Sequence, residues 1–314
     1  MHPRTTANPT GLPRIALLLV VALATGCASQ QARVDQFAAF ATTGSSFTQA
    51  MDPVLTESFD ATATTSALML QQARDDLPTS DRLTALDQAD TDLNARLAIL
   101  RDLKRHLTVL QSYFDALAAL AATSAESSGT VGVAQGLVSA LGTLSPRIAN
   151  ATIAGTRIDS LIAPAAEFLF VSHQSKVLND ELKRNAASID RELRLQHAAL
   201  GALADAYNAD LEVVAAKTYR DEVALPFAGT GPLPPDWANT RATLLQSTLD
   251  TSSIQAAADA AGRLRASFVA LVENRLNSAG ISALQTDINA ILTAIDTRRT
   301  ARTGNPKPQE GATP

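Results

Sequence analysis

The chain has 314 residues, of which 46% are hydrophobic, 18% charged and 4% aromatic, with 31 acids against 26 bases for a formal net charge of −5. This apolar fraction excludes a wholly disordered chain, and the acidic balance argues against nucleic acid as a partner. Nine Phe, three Tyr and one Trp are few for a wide core, whereas alanine makes up close to a fifth of the sequence, so the composition favours helices.

Arg4 and Arg14 precede an apolar run from Ile15 to Ala24, matching the positive and hydrophobic regions of a secretory signal. A membrane-crossing helix needs about 20 apolar residues, so a retained span fails on length. The run leads into Ala24-Thr25-Gly26-Cys27, which resembles the lipobox of bacterial lipoproteins, with Ala24 where Leu is commonest. The resemblance covers the leader alone. It implies cleavage after Gly26, with a thioether-linked diacylglycerol and an acylated amine on Cys27. Ala28 and Ser29, in place of Asp after the lipidated Cys, imply the outer membrane of a Gram-negative cell. Several acyl chains anchor a protein that one would hold only marginally, so no other membrane segment is needed. Cys27 is the only cysteine, which rules out an internal disulfide. Without residues 1–26 the charge becomes −7, made of a +3 tail over the last 17 residues and a −10 body.

In the first mature segment, Phe37, Phe40, Phe47, Leu55, Phe59 and Leu68 are spaced for helix, and Gly44 and Asp52-Pro53 are expected to divide it. The strongest pattern lies in 80–122. Leu86, Leu93, Leu100, Leu107, Phe114 and Ala121 recur at seven, Leu103, Leu110 and Leu117 fill d positions, and Ile99, Tyr113 and Leu120 widen the stripe at g. That width predicts packing against several neighbours. From Ser127 to Pro146 no residue is charged; this stretch reads as a flexible Ser/Gly-rich connection followed by a short helix.

A second heptad pattern over 165–224 uses Ala186, Leu193, Leu200, Tyr207 and Val214 beside Leu182, Ile189 and Leu203. Lys183, Arg184, Asp190, Glu192 and Arg194 are expected to form its solvated face. Leu225 to Pro235 is the clearest break, after which Asp236 opens a further apolar series from Leu244 to Ile295, with Gly262 and Gly280 as candidate kinks. The expected organisation is a signal peptide at 1–26, one helical domain at 27–297 and a disordered basic Pro/Gly-containing tail at 298–314. The expected fold is all-α: an elongated up-and-down bundle of long antiparallel helices with coiled-coil-like packing.

Reaction chemistry is hard to find. His106, His173 and His197 are isolated, with no Glu-x-x-His pair, so helical di-iron and zinc patterns are missing and each histidine reads as structural or superficial. Asp90, Asp92 and Asn94 imitate the start of a calcium loop, but Ala95 and Arg101 stand where Gly and Glu are required. No nucleophile elbow or phosphate-binding glycine spacing occurs. No catalytic residue, metal site or cofactor is therefore expected. The expected role is a lipoprotein lipid-anchored through Cys27 at the outer membrane, facing the periplasm or the surface, and serving as a non-enzymatic scaffold, spacer or module that binds envelope proteins. The alternatives are a membrane-active protein inserting residues 127–170, where Gly132-x-x-x-Gly136 and Phe168-Leu169-Phe170-Val171 lie, and more remotely an envelope hydrolase. Oligomeric state and partner identity are not encoded in any recognisable motif.

Overall fold

A computed structural model describes residues 12–74, 76–122, 128–165, 167–168, 176–247 and 253–303, without the side chains of 12–33, 61, 128–130, 176–179, 246–247, 253 and 295–303. The fold is an all-α bundle. Its helices are α1 (Leu12–Arg74), α2 (Arg82–Ala122), α3 (Ser128–Ala149), α4 (Lys176–Tyr219), α5 (Leu225–Ala228), α6 (Trp237–Ser247), α7 (Ser253–Val272) and α8 (Ser278–Thr303). At 1.5 Å per residue α1 alone is about 95 Å long.

The core gathers on the stripes that the heptads predict. Leu100, Leu103, Leu107, Leu110, Phe114 and Leu117 of α2 are buried, together with Ile99, Tyr113 and Leu120 at g. Each such side chain contributes roughly 1.5–3 kcal/mol when withdrawn from water. The burial is uneven, however. Leu83 and Leu86, in the first turns of α2, remain exposed. Helix α2 meets α1, α3 and α4, while α7 and α8 also pack on α1. Phe40 of α1 joins these layers, touching Phe114 edge-on at 5.8 Å and Phe268 of α7 at 6.0 Å.

Neither Gly44 nor Pro53 divides α1, which runs through both. Gly44 is a contact point, not a break: a Cβ there would lie 2.9 Å from three ring carbons of Phe114, so its lack of a side chain lets α1 approach α2. Pro53 removes one helical donor, and Gln49, whose carbonyl loses that partner, lines an open cleft with Thr48, Asp52 and Lys104. The uncharged stretch also differs from expectation. Residues 128–149 form one helix, since Ala134, Leu141, Ser145 and Ile148 make a buried stripe, while Gly132, Gly136 and Gly142 face open space.

The chain leaves α3 through a small hairpin of β1 (Thr152–Ile153) and β2 (Thr156–Arg157), turned by Ala154 and Gly155 at φ 49° and 82°. Ile153 and, in the following 3-10 turn, Ile158 are buried, which ties the connection to the bundle. Beyond Asp236, the expected single apolar series becomes α6, α7 and α8. The break between the last two falls at Asn274, in the left-handed region at φ 63°, where the Arg275 and Leu276 amides both return to the Ala270 carbonyl. Neither Gly262 nor Gly280 ends a helix. Helix α8 runs to Thr303, past the start of the tail expected at 298. Residues 304–314 lie outside the described residues, as do His173 and Leu169 to Val171.

Candidate functional site

The heptads of α2 and α4 run antiparallel, and this brings polar residues from both into the middle of the bundle. His106 of α2 is fully buried. Its Nε2–H donates to Glu192 Oε2 of α4 at 2.8 Å, and its Nδ1 accepts from the Gln196 side-chain amide one turn further along α4. Ser145 of α3 completes the group; its hydroxyl stands between Glu192 Oε2 and the Leu141 carbonyl, the latter at 2.7 Å. Burial pushes the Glu192 carboxyl up, but the hydrogen bonds from His106 and Ser145, the electrostatic attraction of His106 and the charge of Arg191 together outweigh it and hold it below the usual carboxylate range.

Two turns further along α2 and nearer the start of α4 lies a second polar group. Asn185 donates to Glu181 Oε1 at 2.7 Å, and both side chains are buried. Glu181 Oε2 and the Tyr113 hydroxyl have no hydrogen-bond partner among the described residues. Burial raises the Glu181 carboxyl, and the Asn185 bond and the Arg184 charge offset this only in part. Burial, and then the charge of Glu181, carries the Tyr113 phenol well above its ordinary range.

A third group clasps α4 to α7. Asp190, 1% exposed, accepts from Arg265 Nε at 2.8 Å and from Arg194 Nε at 2.9 Å, and Arg194 also reaches the Ala163 carbonyl. The expectation that Asp190 and Glu192 lie on a solvated face is therefore overturned: α4 is enclosed by α2, α3 and α7, and these acids are admitted because each has partners to replace water. One trace of this was present in the sequence. Gln196 interrupts the apolar positions Leu182, Ile189 and Leu203, which share its place in the heptad. The contribution of Ser145 had no local signal, because it depends on α3 being a helix.

These groups fix helices. A Ser, His and Glu meet, but the Ser145 hydroxyl points to the carboxylate and to a backbone carbonyl, and the imidazole is occupied by Glu192 and Gln196. In an acyl-transfer relay the histidine would instead face the hydroxyl whose proton it takes. All four side chains are at most 3% exposed. His197, by contrast, is exposed, with its ring lying over Gly262 of α7. Asp90, Asp92 and Asn94 belong to the exposed part of α2, where the chain is helical and forms no loop. Among the described residues, no group of three or more His, Cys, Asp or Glu converges as metal ligands, and no helix is long and apolar enough to cross a membrane. The side chain of Cys27 lies outside the described residues, although α1 passes through Gly26 and Cys27. Of the region 127–170, α3 is held in place by Ser145 and Ile148, and Phe168 meets Phe268 edge-on at 6.5 Å.

No protein-family model, curated protein or solved structure matches the chain.

Proposed function

We propose that the protein is a lipid-anchored envelope protein, held at the outer membrane by acyl groups on Cys27 and acting in the periplasm as a non-enzymatic scaffold, spacer or partner-binding module. The observation that carries this reading is the continuity of α1. Cys27 and Arg74 lie on one helix, which sets the far end about 70 Å from the anchor position along its axis. A lipid at Cys27 would thus be joined to the whole length of the bundle without an intervening linker. The buried groups around Glu192 and Asp190 add support, since each is committed to side chains of a neighbouring helix.

Labelling cells with a clickable palmitate analogue tests the anchor. The unaltered protein is expected to take the label and sediment with outer membranes, and Cys27→Ser to lose both properties. An unlabelled protein that fractionates with soluble periplasmic contents would overturn the reading.

A further inference from the structure

The end of the bundle remote from Cys27 differs from the rest of its surface. There the turn between α1 and α2, the last turns of α4, and α5 and α6 come together: Arg96 pairs with Asp210, Lys217 Nζ donates to the Gln72 carbonyl at 3.1 Å, and Trp237 Nε1 donates to the Val223 carbonyl at 3.0 Å. Pro226 lacks a donor, and α4 widens into a π turn at Arg220–Ala224 just before it. The chain then projects Leu225 (54% exposed) and Phe227 (67% exposed), the latter stacked on Trp237 at 5.5 Å. Leu83 at 74%, Val213 at 52% and Leu233 at 44% add further apolar surface at this end. Such concentrated apolar exposure marks an interaction surface.

Charge identifies what can cover it. Segments 60–96 and 205–241, which build this end, carry 13 acids against six bases, a net charge of −7. A second copy would bring the same excess of acids against itself, and an anionic lipid surface would be repelled likewise. We infer that this tip docks a cationic amphipathic helix of a partner protein, whose apolar face covers Leu225, Phe227 and Leu83 and whose Lys or Arg residues meet the surrounding carboxylates. The inference rests on the partner-binding reading above and gives it a place and a chemistry.

The test uses the full chain carrying Cys27→Ser, a fluorescein-labelled amphipathic helix of Leu and Lys, and its counterpart in which Glu replaces Lys. The Leu/Lys helix is expected to bind saturably, at least about ten-fold more tightly than the Leu/Glu helix, and more weakly as salt rises from about 50 to about 500 mM. Phe227→Asp and Leu83→Asp, both at exposed positions, should each weaken it about ten-fold without changing the helical circular dichroism. Equal affinity for the two helices, or unchanged affinity in both variants, overturns the inference. So does a concentration-dependent doubling of mass that Phe227→Asp abolishes, which would make a second copy the occupant. Binding to vesicles of phosphatidylcholine and phosphatidylglycerol that Phe227→Asp abolishes would assign the tip to lipid and overturn it as well. Palmitate labelling is independent of all these readouts, so failure of the docking and failure of the anchor are told apart.

Discussion

His106 Nε2 of α2 and Glu192 Oε2 of α4 lie 2.8 Å apart with neither side chain more than 3% exposed. The pair joins two helices whose chain segments are 86 residues apart. Removing one member of such a pair strands the other in the interior, whereas removing both lets apolar side chains take their place. Glu192→Leu is expected to cost about 3–5 kcal/mol in urea denaturation, and His106→Leu together with Glu192→Leu to recover about half of that loss. A double variant no more stable than the single one would show that the pair is not an independent unit.

Glu181 provides a pH-dependent counterpart. Its folded-state pKa is raised by burial, so its contribution to stability is full below the unfolded value near about 4.3 and diminishes as pH rises through the folded value. Glu181→Gln keeps an oxygen for Asn185 and removes that loss. The variant should equal the unaltered protein near pH 4 and exceed it in stability at pH 7, as followed by thermal melts across that range. A variant less stable at pH 7 would mean that the ionised carboxylate is itself needed. Glu192 works in the opposite direction: its pKa is lowered, so its contribution is present above the unfolded value and lost as the solution is acidified through the folded one.

Glycines on two helices should respond with opposite signs. Gly44→Ala places a methyl 2.9 Å from the Phe114 ring and is expected to destabilise by about 1–3 kcal/mol. Gly136→Ala on α3 meets nothing within 4 Å and should stabilise by about 0.5–1 kcal/mol through helix propensity. Denaturant midpoints of the two variants moving the same way would contradict these placements. Adding Phe114→Leu to Gly44→Ala should relieve part of the clash.

The Asp190 clasp bears on α7. Asp190→Ala leaves Arg194 and Arg265 without their shared carboxylate, and both guanidiniums are mostly withdrawn from solvent. Hydrogen exchange in 253–272 is expected to accelerate about ten-fold or more, while the α1–α2 pairing changes less. Uniform acceleration through the whole chain would instead indicate global unfolding through a single cooperative unit.

Much of the fold was legible because heptads are a local record of burial. The a, d and g stripe of α2 from Ile99 onward is buried as its spacing predicts, whereas the break expected from Leu225 begins only at Gly229, because Leu225–Ala228 remain helical. What escaped were decisions that depend on a second helix. Gly44 looks like an interruption until Phe114 is placed against it, and the glycines of α3 look like a flexible connection until Leu141, Ser145 and Ile148 find a buried surface. The same holds for the polar groups. Asp190 and Glu192 have the spacing of a solvated face, and only the arrival of Arg265 and His106 makes their burial tolerable. His106, Asn185, Gln196 and Ser145 are individually ordinary residues, and their grouping is a property of the packing.

The course of α1 has a mechanical consequence. This one helix contacts α2, α4, α7 and α8 along its length. A load that pulls α1 along its axis against the neighbouring helices acts parallel to those contacts, so it must shear the Phe40, Phe47, Met51 and Leu55 packing all at once. A load applied sideways would peel them one after another at lower force. The bundle is thus built to be stiff along α1 and yielding across it.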